Sequence, residues 1–360
     1  MTPKIQVLSW IFGLFFSAGV TWWVRKNATL DIPSDRSMHK VPTPRGGGLG
    51  IVVAFLIAGA FLALEDENVF RLFVPMLFGA IPVAVVGWFD DRFSVPAKWR
   101  ALVHVISCFL SFYIYSAMSR PSIAFMLWPW ILLATIGAAY FLNIFNFMDG
   151  LDGLAGSEAA FVGVVVNAIY HGEVPLRSIT QSAIPVTFVR SIPDSSRALY
   201  ALLGFCCIGF LIWNWPPAKI FMGDVGSGFL GFALAYFALT RYTQQATSIW
   251  LWLILLGVFI VDGTVTLVTR FITGQKWYDA HNLHAFQKAA KLAGRHLWVT
   301  LGILAINFLW LLPLGMYAES HQENGLPITT LAYAPLIIIA LLFRAGRKES
   351  SATDSVAKAQ

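Results

Sequence analysis

Short polar clusters interrupt an otherwise apolar chain, and their residue types are those used in phosphoryl-transfer chemistry. The densest cluster lies at 143–153 and contains two amides and two carboxylates spaced by three residues: Asn143, Asn146, Asp149 and Asp152. Residues three apart are neighbours on a helix surface, and the Asp-Gly pairs that follow predict a break in the helix. A broken helix exposes backbone groups that suit a nucleotide or phosphate. A cap between two helices is the alternative.

A second cluster is the adjacent pair Asp90 and Asp91. Neighbouring carboxylates repel, so a cation must lie nearby or one of them must hold a proton. The pair could ligate a hard cation such as Mg²⁺, or one member could act as a general base. A solvated helix end beside Arg92 and Lys98 is the alternative.

Asp224 lies in the glycine-rich stretch 221–228 at the start of an apolar run. A carboxylate at a helix N-terminus is stabilised by the helix dipole, so capping competes with metal binding as its role. Arg45 precedes three glycines, which could cradle a phosphate or simply begin a helix. The stretch lacks the Walker pattern, which excludes a P-loop nucleotide hydrolase.

His281 and His284 lie three residues apart in a loop that also carries Lys276, Lys288 and Lys291. Two histidines without cysteines or a third histidine are a poor zinc site. Anion binding fits the basic surroundings better, and a basic surface helix is the alternative. Asp262, near the end of an apolar run, has no assigned role.

The composition predicts the class of protein that positions these clusters. The chain has 360 residues, of which 57% are hydrophobic and only 12% charged, whereas soluble domains carry about 25% charged residues. We therefore predict an all-α polytopic membrane protein. The net charge of +6 reflects basic residues that flank membrane spans, and no basic-aromatic platform indicates a nucleic-acid partner.

About eleven apolar stretches are long enough to cross a bilayer, and the first is a membrane helix rather than a signal peptide. Their predicted bounds are 5–24, 46–64, 72–88, 99–117, 125–145, 154–172, 198–214, 226–240, 248–268, 297–317 and 329–343. They form one membrane-embedded domain at 1–343, followed by a polar, disordered tail at 344–360. Most Lys and Arg residues fall in alternate loops, so the positive-inside rule predicts an outside N-terminus and a cytoplasmic C-terminus.

All of the polar clusters fall on the predicted cytoplasmic side, which favours a site at the membrane surface. A secondary transporter with a cytoplasm-facing carboxylate site is the alternative, but transporters place polar groups near the midplane. A CDP-alcohol phosphatidyltransferase also does phosphoryl chemistry on this face, but the compact Asp-Gly array expected of it is absent from the sequence.

Taken together, the clusters resemble the polyprenyl-phosphate N-acetylhexosamine-1-phosphate transferases, a superfamily that includes the phospho-MurNAc-pentapeptide translocase. The resemblance covers about residues 30–290, and its most specific motif is Asn-x-x-Asn-x-x-Asp-Gly-x-Asp-Gly at 143–153. It implies that a lipid phosphate attacks the β-phosphate of a UDP-sugar and that UMP leaves. Mg²⁺, or Mn²⁺ as a substitute, would offset the repulsion between the two anions.

The resemblance also implies roles for individual residues. Asp90 and Asp91 would orient or deprotonate the lipid phosphate, and Asp149 and Asp152 would belong to the same catalytic cluster. Asp224 and Asn146 would hold the metal. Substrate would contact the remaining positions: Lys40, Arg45, Asn214, Gly150, Leu151, Phe221, His281 and His284. Asp152 would, in addition to its place in the catalytic cluster, line the pocket for the uridine.

The last motif departs from the denser histidine runs of many members. Here it reads His281-x-x-His284-x-x-Gln287, which is similar to the O-antigen-initiating branch. We therefore expect a UDP-N-acetylhexosamine or a 6-deoxy derivative as donor, undecaprenyl phosphate as acceptor, and a role in lipopolysaccharide or cell-wall biogenesis. The expected location is the bacterial inner membrane, with the active site on its cytoplasmic face. The chain could also form a homodimer.

Overall fold

The computed structural model describes residues 1–33, 38–39, 41–119, 121, 126–171, 195–243, 248–276 and 281–347. Within these ranges the protein is an all-α bundle with one small hairpin, in which β1 (Leu30–Asp31) pairs antiparallel with β2 (Thr43–Pro44). The helices of the first half are α1 (Pro3–Asn27), α2 (Leu49–Glu65), α3 (Glu67–Phe93), α4 (Ala97–Ser119), α5 (Trp128–Met148) and α6 (Leu154–His171).

The second half continues with helices of more varied length. These are α7 (Ala198–Asn214), α8 (Asp224–Thr243), α9 (Ile249–Leu255), α10 (Gly257–Ile272), α11 (Ala285–Ala293), α12 (His296–Ile306), α13 (Leu312–Ser320) and α14 (Gly325–Leu342). A single π-helical turn, Asn307–Leu311, joins α12 to α13. The axes of α9 and α10 meet at 72°, so the ninth predicted stretch is a bent pair.

Seven of the described helical segments are long and apolar enough to cross a bilayer, or eight if the bent pair counts as one span. Helices α2 and α6 are apolar but shorter. Each of the eleven predicted stretches coincides with a helix or a helix pair, which confirms an all-α polytopic membrane protein. The number of eleven spans and the orientation of the termini stay predictions.

The prolines inside α3 interrupt the backbone hydrogen bonds of that helix. Pro75 and Pro82 lie within this helix, where each proline lacks a backbone donor and frees the carbonyl four residues before it, at Arg71 and Phe78. The Ser111 hydroxyl of α4 donates to the Pro75 carbonyl at 2.8 Å. A neighbouring helix thus donates to the α3 backbone beside one of its prolines, although not to a carbonyl that the prolines free.

The polar ends of the helices meet around α8, which is buried along its length among α2, α3 and α5. The N-terminus of α8 packs against the N-terminus of α2 through glycines, since a Cβ added to Gly48 would lie 2.3 Å from the Gly226 Cα. The backbone amides of Gly47 and Gly48 donate to the carbonyls of Phe221 and Met222, each at 2.9 Å. This close contact brings Arg45 beside Asp224.

The predicted boundary between the membrane domain and the polar tail, at 343, stays a prediction. Arg344–Arg347 form a turn hydrogen-bonded to the rest of the protein, in which the Gly346 amide donates to the Leu283 carbonyl at 2.9 Å. Residues 348–360 lie outside the described part of the chain.

Candidate functional site

Three carboxylates that are distant in sequence converge at the ends of α3 and α8. Asp90 and Asp91 lie in the last turn of α3, and Asp224 is the first residue of α8. The backbone amides of Asp224 and Val225 donate to the Asp91 carboxylate at 2.8 and 3.2 Å. Asp91 therefore caps α8 and fixes its position relative to α3.

Gly223 is the residue that allows this contact. Its φ is +76°, a conformation that favours glycine. A Cβ at this position would also lie 2.4 Å from the Asp91 Oδ2. The glycine before Asp224 is therefore required by both backbone conformation and space.

Two arginines bridge the three carboxylates. Arg45 contacts the Asp91 Oδ1 through Nε at 2.8 Å and the Asp224 Oδ1 through Nη2 at 2.6 Å. The Arg100 Nη1 contacts the Asp90 Oδ2 and the Asp224 Oδ2, each at 2.6 Å. The three carboxylates lie so close together that they need these arginines as partners, because a buried charge without a partner destabilises the fold.

The charge on Arg45 is held in place by its neighbours. Burial by itself would lower the pKa of this guanidinium, but the carboxylates of Asp224 and Asp91 raise it above its usual value. Arg45 therefore stays cationic throughout the physiological range.

Arg100 was not recognised as a site residue from the sequence. Its position in the first turn of α4, ten residues after Asp90, was the available signal. Helices α3 and α4 are joined by a short connection, so the last turn of one lies beside the first turn of the other.

The predicted break after α5 is confirmed. Helix α5 ends at Met148, and Asp149 occupies its C-cap position. Asn146, in the last turn, lines the same cavity as Asp224. Asn143 instead donates to the Ala139 carbonyl of its own helix at 2.7 Å, so only part of the polar series faces the carboxylates.

Asp149 is half-buried beside these groups. Desolvation raises the pKa of its carboxyl from 3.8 to about 7, Arg45 opposes this shift, and the negative charges of Asp224, Asp91 and Asp152 add to it. The group is thus poised to exchange a proton near neutral pH.

A cavity of about 340 Å³ opens beside this cluster. Ten of the predicted residues line it: Arg45, Asn146, Asp149, Gly150, Leu151, Asp152, Asn214, Phe221, Asp224 and His281. The lining also includes residues that were not predicted as site residues: Asp31, Met38, His39, Met222, Gly223, Gln287 and His296. Asp90, Asp91 and His284 are not among the residues that line it, and Lys40 lies outside the described residues.

Two of the lining residues, Asp152 and Asn214, hold neighbouring loops together. The Asp152 Oδ2 accepts from the Ala218 amide at 3.0 Å, and its Oδ1 lies 3.1 Å from the His296 Nδ1. The Asn214 side chain accepts from the Gly153 amide at 2.9 Å and donates to the Ile220 carbonyl at 2.8 Å. Both side chains hold the cavity wall in position. That they also contact the substrate stays a prediction.

The two predicted histidines occupy different positions. His281 lines the cavity, and burial lowers the pKa of its imidazole to about 3, so the ring is neutral. His284 is only 1% exposed and stacks on His281 with ring centroids 4.9 Å apart. His281 is thus the member of the pair that faces the cavity.

By chemistry alone, the oxygens of Asp90, Asp91, Asp224 and the Asn146 amide are of the kind that a hard cation such as Mg²⁺ prefers. In the described part of the chain, no group of three or more His, Cys, Asp or Glu residues has an arrangement that could hold a metal ion. The two arginine side chains fill the space between the carboxylates and supply the positive charge there.

Comparison with known proteins points in the same direction. The model of the family described as glycosyl transferase family 4 matches residues 73–242, a range that contains Asp90, Asp91, Asn146, Asp149 and Asp224. The match does not reach Arg45 or the histidines.

Several curated proteins are similar over most of the chain. A probable undecaprenyl-phosphate N-acetylglucosaminyl 1-phosphate transferase of Bacillus subtilis is 29% identical over 298 residues, covering 79% of this chain and 76% of the relative. An undecaprenyl-phosphate alpha-N-acetylglucosaminyl 1-phosphate transferase of Thermotoga maritima is 25% identical over 82% of this chain and 83% of its own length. A phospho-N-acetylmuramoyl-pentapeptide-transferase of Frankia casuarinae is 29% identical over 70% and 76%.

Proposed function

Because the chain belongs to the superfamily of polyprenyl-phosphate N-acetylhexosamine-1-phosphate transferases, we propose that it transfers an N-acetylhexosamine 1-phosphate from a UDP-sugar to undecaprenyl phosphate and releases UMP. The product would initiate a lipid-linked surface polysaccharide such as O-antigen. The observation that carries this proposal is the convergence of Asp90, Asp91 and Asp224 beside a polar cavity at one end of an apolar bundle.

The chemistry needs two anions to meet. An oxygen of the lipid phosphate attacks the β-phosphorus of the UDP-sugar, the bond between that phosphorus and the bridging oxygen breaks, and UMP leaves with the bonding electrons. We propose direct attack, with Asp90 accepting the proton of the lipid phosphate or orienting it. Arg45 and Arg100 contribute fixed positive charge where negative charge accumulates.

The cavity beside the carboxylates supplies the donor site in this proposal. Gly150, Leu151 and Phe221 would contact the uridine, and His281 would face the diphosphate or the sugar. Asp149 would add a carboxyl that changes its protonation near neutral pH.

Asp224 and Asn146 would hold Mg²⁺. The ion, when bound, would stabilise charge on the transferring phosphoryl group. We expect Asp224→Asn to lower turnover at least 100-fold and to weaken its dependence on Mg²⁺, because removing one such charge-stabilising group costs 10²–10³ in rate. Mg²⁺ titrations of UMP release would measure both, and full activity of the variant would remove Asp224 from the metal site.

UMP release by the purified protein tests the reaction itself. The assay supplies undecaprenyl phosphate, Mg²⁺ and one UDP-sugar at a time, with UDP-N-acetylglucosamine first and its 6-deoxy and muramoyl-pentapeptide relatives as comparisons. We expect release that depends on both the lipid and one UDP-N-acetylhexosamine. Absence of UMP with every donor, in membranes that retain folded protein, would overturn the proposal.

A further inference from the structure

Asp262, on α10, is a buried carboxylate with four hydrogen-bond donors around it. Its Oδ1 accepts from the Ala285 amide at 3.0 Å and from the Thr266 hydroxyl at 3.1 Å. Its Oδ2 accepts from the Phe286 amide at 2.9 Å. The fourth contact joins Oδ1 to the His284 Nδ1 at 3.2 Å.

These contacts do two things at once. The two backbone amides belong to the first turn of α11, so Asp262 fixes the start of this nine-residue helix against α10. The contact with Nδ1 sets the tautomer of His284, because a carboxylate accepts the proton and so places it on that nitrogen.

The His284 ring, fixed in position by Asp262, in turn packs against a residue that lines the cavity. It stacks on His281 at a centroid distance of 4.9 Å and an interplanar angle of 26°. Phe286 supports the other side of the stack, 5.4 Å from His284. Phe147, in the last turn of α5, lies 6.1 Å from the His281 ring.

The hydrogen bonds of His281 define what it offers to a ligand. Its Nδ1 accepts from the Leu283 amide at 3.4 Å, so the proton of the neutral ring lies on Nε2. This Nε2 is buried and has no partner among the described residues. His281 lines the cavity that holds Asp149 and Asp224, and its preorganised donor lies just beneath the surface of that wall.

We infer that Asp262 is a positioning residue, which holds His284 so that the His281 Nε2–H is presented to an oxygen of the phosphorylated sugar donor. This inference rests on the proposed function, because it is the donor's diphosphate or sugar that His281 would contact. Asp262 itself does not touch the substrate.

A double-mutant cycle between Asp262 and His281 tests this inference. In Asp262→Asn the amide is isosteric, but its NH₂ group faces at least one of the four donors. We expect kcat/KM for the UDP-sugar to fall roughly tenfold, as second-layer contacts commonly cost. In a His281→Ala background the same change should have almost no further effect, and both single variants should change the same parameter, KM or kcat.

A role limited to capping α11 predicts a different result. Asp262→Asn would then lower activity by the same factor with or without His281, and that additive outcome would overturn the inference. Glu158→Gln is a control, since it also replaces a buried acidic side chain of the bundle by its amide, at a site where the Glu158 Oε2 accepts from the Asn307 side chain at 2.6 Å. We expect it to stay within about twofold of the wild type.

The stacked ring provides a second test that does not require Asp262 to be changed. His284→Phe keeps a planar ring beside His281 and His284→Ala removes it, whereas both lose the contact with Asp262. We expect the Phe variant to retain several-fold more activity than the Ala variant, and equal activities would overturn the inference. A wild type without transfer would instead overturn the proposed function, so the two failures are distinguishable.

Discussion

At the scale of single residues, the site is an alternation of carboxylates and guanidinium groups. Each oxygen of Asp224 faces a different arginine, Arg45 on one side and Arg100 on the other. Such a network is stable only when every member is present, because loss of one partner leaves a buried charge unpaired.

Arg45→Gln should therefore affect both activity and stability. The variant leaves Asp91 without this cation and Asp224 with Arg100 alone. We expect transfer activity to fall about 100-fold and the free energy of unfolding to fall by about 1 kcal/mol, because Arg45 is 34% exposed and solvent screens its charge. UMP release and thermal unfolding in detergent would measure the two effects.

Arg92→Gln is the matched control for this change. Arg92 follows Asp91 directly, but it is exposed and lies over the Trp88 ring at 3.9 Å. We expect near wild-type activity from it. Equal losses in the two variants would show that general positive charge matters, rather than the bridge formed by Arg45.

Asp149 gives a pH dependence that can be measured without substrate. Its pKa is raised from 3.8 to about 7 by desolvation, so the folded protein keeps a proton that the unfolded chain loses. The stability from this group is complete below about pH 4 and is lost as the pH rises through about 7.

We therefore expect Asp149→Asn, which is neutral at every pH, to gain unfolding temperature relative to the wild type between pH 4.5 and pH 8. Metal-free protein would be used for the measurement. Glu67→Gln, on the exposed first turn of α3, controls for loss of one negative charge. A difference between wild type and Asp149→Asn that is the same at both pH values would contradict the raised pKa.

At the scale of elements, the site depends on how closely helix ends approach one another. Helices α2 and α8 meet glycine to glycine, and Asp91 of α3 accepts from the first amides of α8. The sequence indicated each helix by its apolar run. It could not indicate that these ends meet, because side-chain patterns within a helix do not specify its partner.

Gly48→Ala tests the close approach of α2 and α8. The added methyl group would lie 2.3 Å from the Gly226 Cα, so the helices must separate, and overpacking of this kind costs about 1–3 kcal/mol. We expect lower unfolding temperature and reduced transfer, because Arg45 and Asp224 move apart.

Gly137→Ala provides the comparison within α5. A Cβ there meets no atom within 4 Å, and alanine is the better helix former. We expect unchanged activity and equal or slightly higher stability. A Gly48→Ala variant that matches Gly137→Ala in both measurements would contradict the tight packing of α2 on α8.

At the scale of the whole molecule, the bundle gathers its chemistry at one end. The last turns of α3 and α5, the first turn of α8 and the loop before α11 all contribute to one cluster. This arrangement suits an enzyme whose lipid substrate lies in the bilayer and whose nucleotide substrate arrives from water.

Eleven spans would place the termini on opposite sides of the membrane, and labelling can test this. The native cysteines, Cys108, Cys206 and Cys207, are buried, so single added cysteines would dominate the signal. We expect an impermeant maleimide to label Thr2→Cys in intact spheroplasts and to label Ala357→Cys only after permeabilisation. Labelling of both from the same side would require an even number of spans.

Consecutive residues were enough to predict the class of protein and most of the residues that line the cavity. Low charge and long apolar runs require a membrane bundle, because such a chain cannot cover a water-facing surface. The spacing of Asn146 and Asp149 and the glycines after them predicted the break at the end of α5, which the structure confirms. These are local properties, written in consecutive residues.

Only the tertiary structure decided which polar groups share contacts. Arg100 belongs to the site because α4 begins beside the end of α3, and Asp262 of α10 accepts from the first amides of α11. Asp91 proved to cap α8, and His284 lies behind His281. Apart from the histidine pair, these contacts join residues from about twenty to more than a hundred positions apart, and local patterns carry no information about them.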